Sequence, residues 1–154
     1  MSPKAALLDR IRDHLSLRLD RLSQAAQDAH AAATDPDAKA ESKYDTRSLE
    51  ASYLAEGQAK QVDDAADAVG IFSTLTLPDF EMNDPIDSGA LVEVDLDGEP
   101  SYFLLVPAAG GVAIEDEGRE ITLLTPASVL YRKLLGRKLG DSIDDPDGLI
   151  TEVS

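Results

Sequence analysis

From residue 8 onward, Leu8, Ile11, Leu15, Arg18, Leu22, Ala25, Ala29 and Ala32 recur at alternating steps of three and four. An apolar stripe of that period and width is the seam of a helix made for one partner helix. Ser2-Pro3 supplies a cap and a first-turn proline, and no Gly or Pro interrupts the stripe, so one helix is expected over 2–33. The seam changes from Leu and Ile to Ala along its length, which lets a partner approach more closely toward residue 33. Thr34-Asp35-Pro36-Asp37 then breaks the pattern with turn chemistry, and 31–40 is expected to be a loop. A second stripe follows at Ser52, Ala55, Ala59, Val62, Ala66 and Val69, predicting a helix over about 45–69. It is too poor in large side chains to stand alone. Two such helices on a short connection fold back on each other, giving an antiparallel coiled-coil hairpin roughly 40 Å long at ~1.5 Å per residue.

After Gly70 the period changes. Residues 71–75, Ile-Phe-Ser-Thr-Leu, form a short β-prone run. Leu91, Val92 and Val94 precede Asp97-Gly98, a hairpin turn signal, and the apolar run 102–106 follows it. A Gly110-Gly111 turn and a short strand over 121–123 come next, then a helix over about 127–135 opened by Thr125-Pro126. Gly136 and Gly140 mark its exit, and Gly148–Val153 is the expected last strand. The fold class is therefore α+β: a helical hairpin over 1–70 with its tip near 34–45, and a domain over 71–154 with a small antiparallel sheet and one helix.

Composition narrows the function. The 154 residues carry 14 basic and 30 acidic side chains, a net charge of −16. Up to Gly70 there are nine basic and 13 acidic residues, and after it five and 17, so the second half holds most of the excess. This balance argues against independent nucleic-acid binding, because phosphate neutralisation by Lys and Arg dominates it. Anionic lipid is repelled on the same ground. A basic protein surface or a metal ion is the charged partner that fits. Absence of Cys removes disulfides and thiol catalysis. Asp9-Arg10 cuts short the apolar start of the chain, so no signal peptide is read there, and no run reaches the roughly 18 apolar residues of a membrane span. A cytoplasmic monomer is the expectation.

Most polar clusters read as solvated surface. His14 and His30 stand 16 residues apart without companion ligands. Asp63, Asp64 and Asp67 fit one exposed helix face, and Ser52 and Ser128 lack a His or acid partner for hydrolase chemistry. Asp144-Asp145-Pro146-Asp147-Gly148 begins like a calcium loop but loses the spacing. Arg132, Lys133, Arg137 and Lys138 are the one basic cluster of the second half, explained by the helix dipole or by docking to an acidic partner face. At the tip, Asp35 before Pro36 suits a turn and Asp45 suits a helix start.

Stretches in both halves of the chain resemble the Gre-factor family of transcription factors, in particular its short GreAB-like subgroup. Ile121-Thr122-Leu123-Leu124-Thr125-Pro126-Ala127-Ser128, continuing through Leu134-Leu135-Gly136-Arg137-Lys138-Leu139-Gly140-Asp141, is similar to the signature of the family's C-terminal domain. Ser88-Gly89-Ala90-Leu91-Val92-Glu93-Val94 looks like that domain's opening strand. Lys43-Tyr44-Asp45-Thr46-Arg47-Ser48-Leu49-Glu50-Ala51-Ser52-Tyr53-Leu54-Ala55 resembles the start of the subgroup's second hairpin helix. The resemblance implies an FKBP-like C-terminal domain and bacterial RNA polymerase as partner, with the hairpin entering the secondary channel. It further implies tip acids that help hold Mg²⁺ beside the polymerase's own ion, so that the factor stimulates the polymerase's transcript cleavage without being an enzyme itself. Asp37 and Glu41 are the candidate ligands, with Asp35 and Asp45 as alternates; Arg132, Lys133, Arg137 and Lys138 are the candidate polymerase contacts. Glu41-Ser42-Lys43-Tyr44 is one residue shorter than the family's Glu-Asn-Ala-Glu-Tyr, and the family's other acidic position falls on Ala38. Cleavage stimulation, occupation of the channel without cleavage, and a protein-interaction module unrelated to polymerase are therefore three alternatives. An FKBP-like fold also raises prolyl isomerisation, which needs an aromatic-lined pocket built from Phe72, Phe80, Tyr102, Phe103 and Tyr131.

Overall fold

The computed structural model describes the backbone of residues 3–34 and 46–154, and the side chains of 3–31 and 56–154. Helix α1 is Pro3–Thr34 and α2 is Thr46–Thr74. They are followed by β1 (Leu91–Leu96), β2 (Glu99–Leu105), β3 (Ala113–Asp116), β4 (Arg119–Leu124), helix α3 (Val129–Leu134), β5 (Ser142–Ile143) and β6 (Gly148–Val153). Two compact units result: Asp13–Gly70, and Met1–Arg12 with Ile71–Ser154.

In the helical unit, Leu15 is buried and Leu19, Leu22, Ala25, Ala26 and Ala29 are half-buried along α1. Arg18, expected in this seam, is exposed, and Leu19 takes its turn of the stripe because a cation gains nothing there. On α2 the covered positions are Gln58, Val62, Ala65, Ala68 and Val69, whereas the expected Ala59 and Ala66 face solvent. An Ala-rich helix has apolar side chains on several faces, so the stripe is ambiguous until a large residue fixes its phase. That residue is Phe72, which is fully buried three and seven positions beyond Val69 and Ala65.

Phe72 also explains why the expected strand at 71–75 is helical through Thr74. Its burial continues the helical period across Gly70, whose cost in a helix interior is ~1 kcal/mol relative to Ala. Burying a Phe side chain returns about 1.5–3 kcal/mol. Arg12 then closes the helix end: its Nε donates to the Phe72 carbonyl at 2.7 Å and its Nη2 to the Leu75 carbonyl at 2.9 Å. These orphan carbonyls are where a cation is most useful to a helix.

The six strands form one sheet in the order β3-β4-β2-β1-β6-β5. All neighbours are antiparallel except β2 and β4, which run parallel with Leu104 opposite Leu123. Asp97 (φ 52°) and Gly98 (φ 85°) make the β1–β2 turn as expected, with the positive φ pair that a two-residue hairpin demands. Glu117 and Gly118 repeat this geometry between β3 and β4, a hairpin absent from the sequence reading.

Both sheet faces are covered. On one, Val92, Val94, Phe103, Leu105, Leu124, Ile150 and Val153 pack with Tyr131 and Leu134 of α3. Alternation sends Leu104, Ile121 and Leu123 to the other face, and all three are fully buried. Within the same unit, the first three turns of α1 bury Leu7, Leu8 and Ile11, and the end of α2 buries Phe72. Helix α3 is shorter than the expected 127–135. Pro126 sits inside a turn closed by the Ser128 N–H to the Thr125 carbonyl at 2.8 Å, and Ser128 is the true cap, its hydroxyl accepting the Tyr131 N–H at 3.5 Å. The cap therefore lies three residues beyond Thr125. At the other end Leu135 turns extended (ψ 127°) and Gly136 (φ 80°) completes the stop.

Candidate functional site

Asp35, Asp37, Glu41 and Asp45 lie outside the described residues; α1 leads into that segment at Thr34 and α2 leaves it at Thr46. Among the described residues no group of three or more His, Cys, Asp and Glu is arranged to hold a metal ion. His14 is half-buried and His30 exposed, and Asp63, Asp64 and Asp67 face solvent as expected.

The basic quartet is not one uniform patch. Arg132 and Lys133 occupy the last turn of α3, whose dipole they complement. Lys133 is half-buried, donating through Nζ to the Asp144 carbonyl at 2.8 Å and to that of Asp145. Its ammonium thereby organises the 144–148 turn, the segment that superficially resembles a calcium loop. Arg137 lends its carbonyl to the Ile86 N–H at 2.8 Å, and the Lys138 N–H is accepted by Asp141 Oδ2 at 2.9 Å. Arg132, Arg137 and Lys138 keep exposed side chains. Lys133 and Arg137 line a cleft of about 770 Å³ together with Asp95, Asp97, Asp144 and Asp147. Any acidic partner approaching there meets carboxylates as well as cations.

A second cationic arrangement was not legible as a site. Lys4 is only 5% exposed and donates to the carbonyls of Pro78 at 2.6 Å and Gly89 at 2.7 Å. Its ammonium lies 4.8 Å from the centroid of the Phe80 ring. Loss of hydration on burial lowers its pKa from 10.5 to about 8, partly opposed by the nearby Asp79 carboxylate. Arg10 reaches the buried Asp116 at 3.1 Å, and Arg119 meets the same carboxylate at 3.6 Å while its guanidinium lies 5.1 Å from the Tyr102 ring centroid. Lys4, Arg10 and Arg12 thus fasten the first turns of α1 to the sheet unit. The sequence signal was Lys4 itself, a cation four residues before Leu8 on the same apolar stripe.

The five aromatics proposed for an isomerase pocket do not converge on one. Phe72, Phe103 and Tyr131 are buried, Tyr102 lies under Arg119, and Phe80 is half-buried beneath Lys4, packed against the core cluster.

No protein-family model matches the chain, and no curated protein matches it. Among solved structures, it is similar to GreA factor homolog 1 (Gfh1) of Thermus thermophilus, with 21% identity, coverage of 93% of this chain and 94% of the other, and a TM-score of 0.38. It is also similar to a second structure of the transcription factor Gfh1, at 21% identity, 92% coverage of each chain and a TM-score of 0.37. For Thermus aquaticus Gfh1 the values are 18% identity, 92% of each chain and a TM-score of 0.36.

Proposed function

We propose that the chain is a Gre-like accessory transcription factor that docks on bacterial RNA polymerase through its α+β unit and offers the acids of residues 35–45 at the secondary channel. The observation that carries this reading is the 121–141 motif. Its residues run as strand β4, the Thr125-Pro126 turn, the Ser128-capped α3 and a Gly136 stop, in a chain that opens with two helices of 32 and 29 residues. The net charge of −16 fits a protein that acts on a nucleic-acid machine without holding the nucleic acid itself.

In the preferred form of the proposal, Asp37 and Glu41 hold Mg²⁺ jointly with the polymerase, with Asp35 and Asp45 as alternates. Carboxylates are suitable hard donors for that ion, which stabilises charge on attacking and leaving oxygens when bound. The protein contributes ligands and positioning, and the cleaving centre belongs to the polymerase. Ala38, standing where the family places an acid, favours the second form, in which the chain occupies the channel without promoting cleavage. Both forms require binding. Fluorescently labelled protein titrated with core polymerase at low salt should bind saturably, and charge reversal at Arg132, Arg137 and Lys138 together should weaken it. No binding at low salt would remove both forms.

A further inference from the structure

Residues 78–88 fold against the end of α3 and leave a cleft of about 680 Å³. Pro78, Phe80, Pro85 and Ile86 line it, with Leu135 and Gly136 on the α3 side. Leu135 is 44% exposed because the helix stops there and the backbone turns extended, carrying the side chain off the core. The charged residues lining the cleft are Asp79, Asp84 and Asp87, with neither Lys nor Arg among them.

The walls are fixed from behind. Ile86 exchanges two backbone hydrogen bonds with the helix exit: its N–H donates to the Arg137 carbonyl at 2.8 Å, and its carbonyl accepts the Gly136 N–H at 2.7 Å. Lys4 ties Pro78 to Gly89 by bonding both carbonyls. Gly89, at φ 92°, permits the Pro78 ring to approach so closely that a Cβ there would stand 2.5 Å from Pro78 Cδ. Asp84 Oδ2 accepts the Glu81 N–H and Asp87 Oδ1 the Ser88 N–H, both at 2.8 Å, so each carboxylate is oriented and still has an oxygen to offer. A preformed apolar cleft with oriented acids on its rim binds at a lower ordering cost than a mobile surface.

We propose that this cleft is a docking site for a basic protein segment carrying an apolar anchor: a short stretch with Leu or Phe flanked by Lys or Arg. The apolar side chain would sit between Pro85, Phe80 and Leu135, while the flanking cations meet Asp79, Asp84 and Asp87. Lipid does not fit, since the same acids repel an anionic surface. The inference is independent of polymerase docking.

The probe is the capped hexapeptide Lys-Arg-Leu-Phe-Arg-Lys, titrated into ¹⁵N-labelled full-length protein at low salt. Shifts should concentrate in 78–88 and 135–136, with saturation below about 1 mM. Replacing the peptide's four cations by Glu should abolish binding. Asp84→Asn/Asp87→Asn keeps the turn hydrogen bonds and should weaken binding about tenfold, whereas Asp63→Asn/Asp64→Asn removes the same charge from α2 and should change it less than about twofold. Leu135→Ser should weaken it comparably to the first pair. Shifts spread over every acidic surface, equal losses from both Asn pairs, or no saturation would each overturn the proposal.

Discussion

Lys4 shows what a single residue contributes to this molecule and what sequence reading misses. Its ammonium is buried among carbonyls, and lost hydration lowers its pKa to about 8. Below that value the folded and unfolded chains both hold the proton. Between about 8 and 10.5 the unfolded chain keeps a proton that the folded one has released, so stability rises with pH across that window. The full rise is up to about 3 kcal/mol. Urea midpoints measured at pH 7.5 and 10 should therefore move apart in the native protein, and Lys4→Met should flatten that difference; an unchanged difference would contradict the burial argument. Gly89 carries a second residue-scale expectation. Ala there combines a positive φ with a 2.5 Å approach to Pro78 Cδ, and should cost at least about 2 kcal/mol by the same measurement. Neither role was legible beforehand. Lys4 is one more polar residue in a helix, and Gly89 one more loop glycine, until the fold brings Pro78 against both. Arg12 is similar: the carbonyls it caps belong to residues 60 and 63 positions away.

At the scale of elements, local signals succeeded where chemistry was specific. Asp97-Gly98 announced its hairpin because Asp and Gly accept positive φ, and β1, β2, β4 and β6 were readable from apolar runs. Glu117-Gly118 makes the same turn, but Glu is a poor marker for it, so β3 went unrecognised; β5, with two residues, is too short for a pattern. The end of α2 was misread because Ile71-Phe72-Ser73-Thr74 has strand propensity and follows a Gly, while burial of Phe72 decides for helix. Phe72→Ala should accordingly cost about 3–5 kcal/mol. Amide exchange should show residues 71–74 protected in the native protein and released in the variant. Retained protection with a loss below about 1 kcal/mol would mean that this residue does not set the helix phase.

For the whole molecule, the strand-turn-helix order of 121–141 was read from sequence because its apolar strand, Thr125-Pro126 turn and Gly-rich exit are local instructions, although the helix cap itself lies three residues further on, at Ser128. The tip chemistry was read only as a set of acids, Asp35, Asp37, Glu41 and Asp45, since spacing along a chain does not say which carboxylates converge. Charge patterning points to a protein partner at this scale too: Arg132, Arg137 and Lys138 are exposed cations in a half that carries 17 acids and five bases. Removal of those three should weaken polymerase binding while leaving the urea midpoint nearly unchanged, because none of their side chains is buried. Lys133→Met should instead lower stability by loosening the 144–148 turn.

The central claim is tested most directly by transcript cleavage in a stalled, backtracked bacterial elongation complex, with and without the purified protein, at saturating binding. The account predicts faster cleavage, lost in Asp37→Ala/Glu41→Ala while that variant still binds. Binding with an unchanged cleavage rate would contradict the metal-donating form and leave a channel occupant. No binding to the complex at all would contradict the polymerase reading altogether.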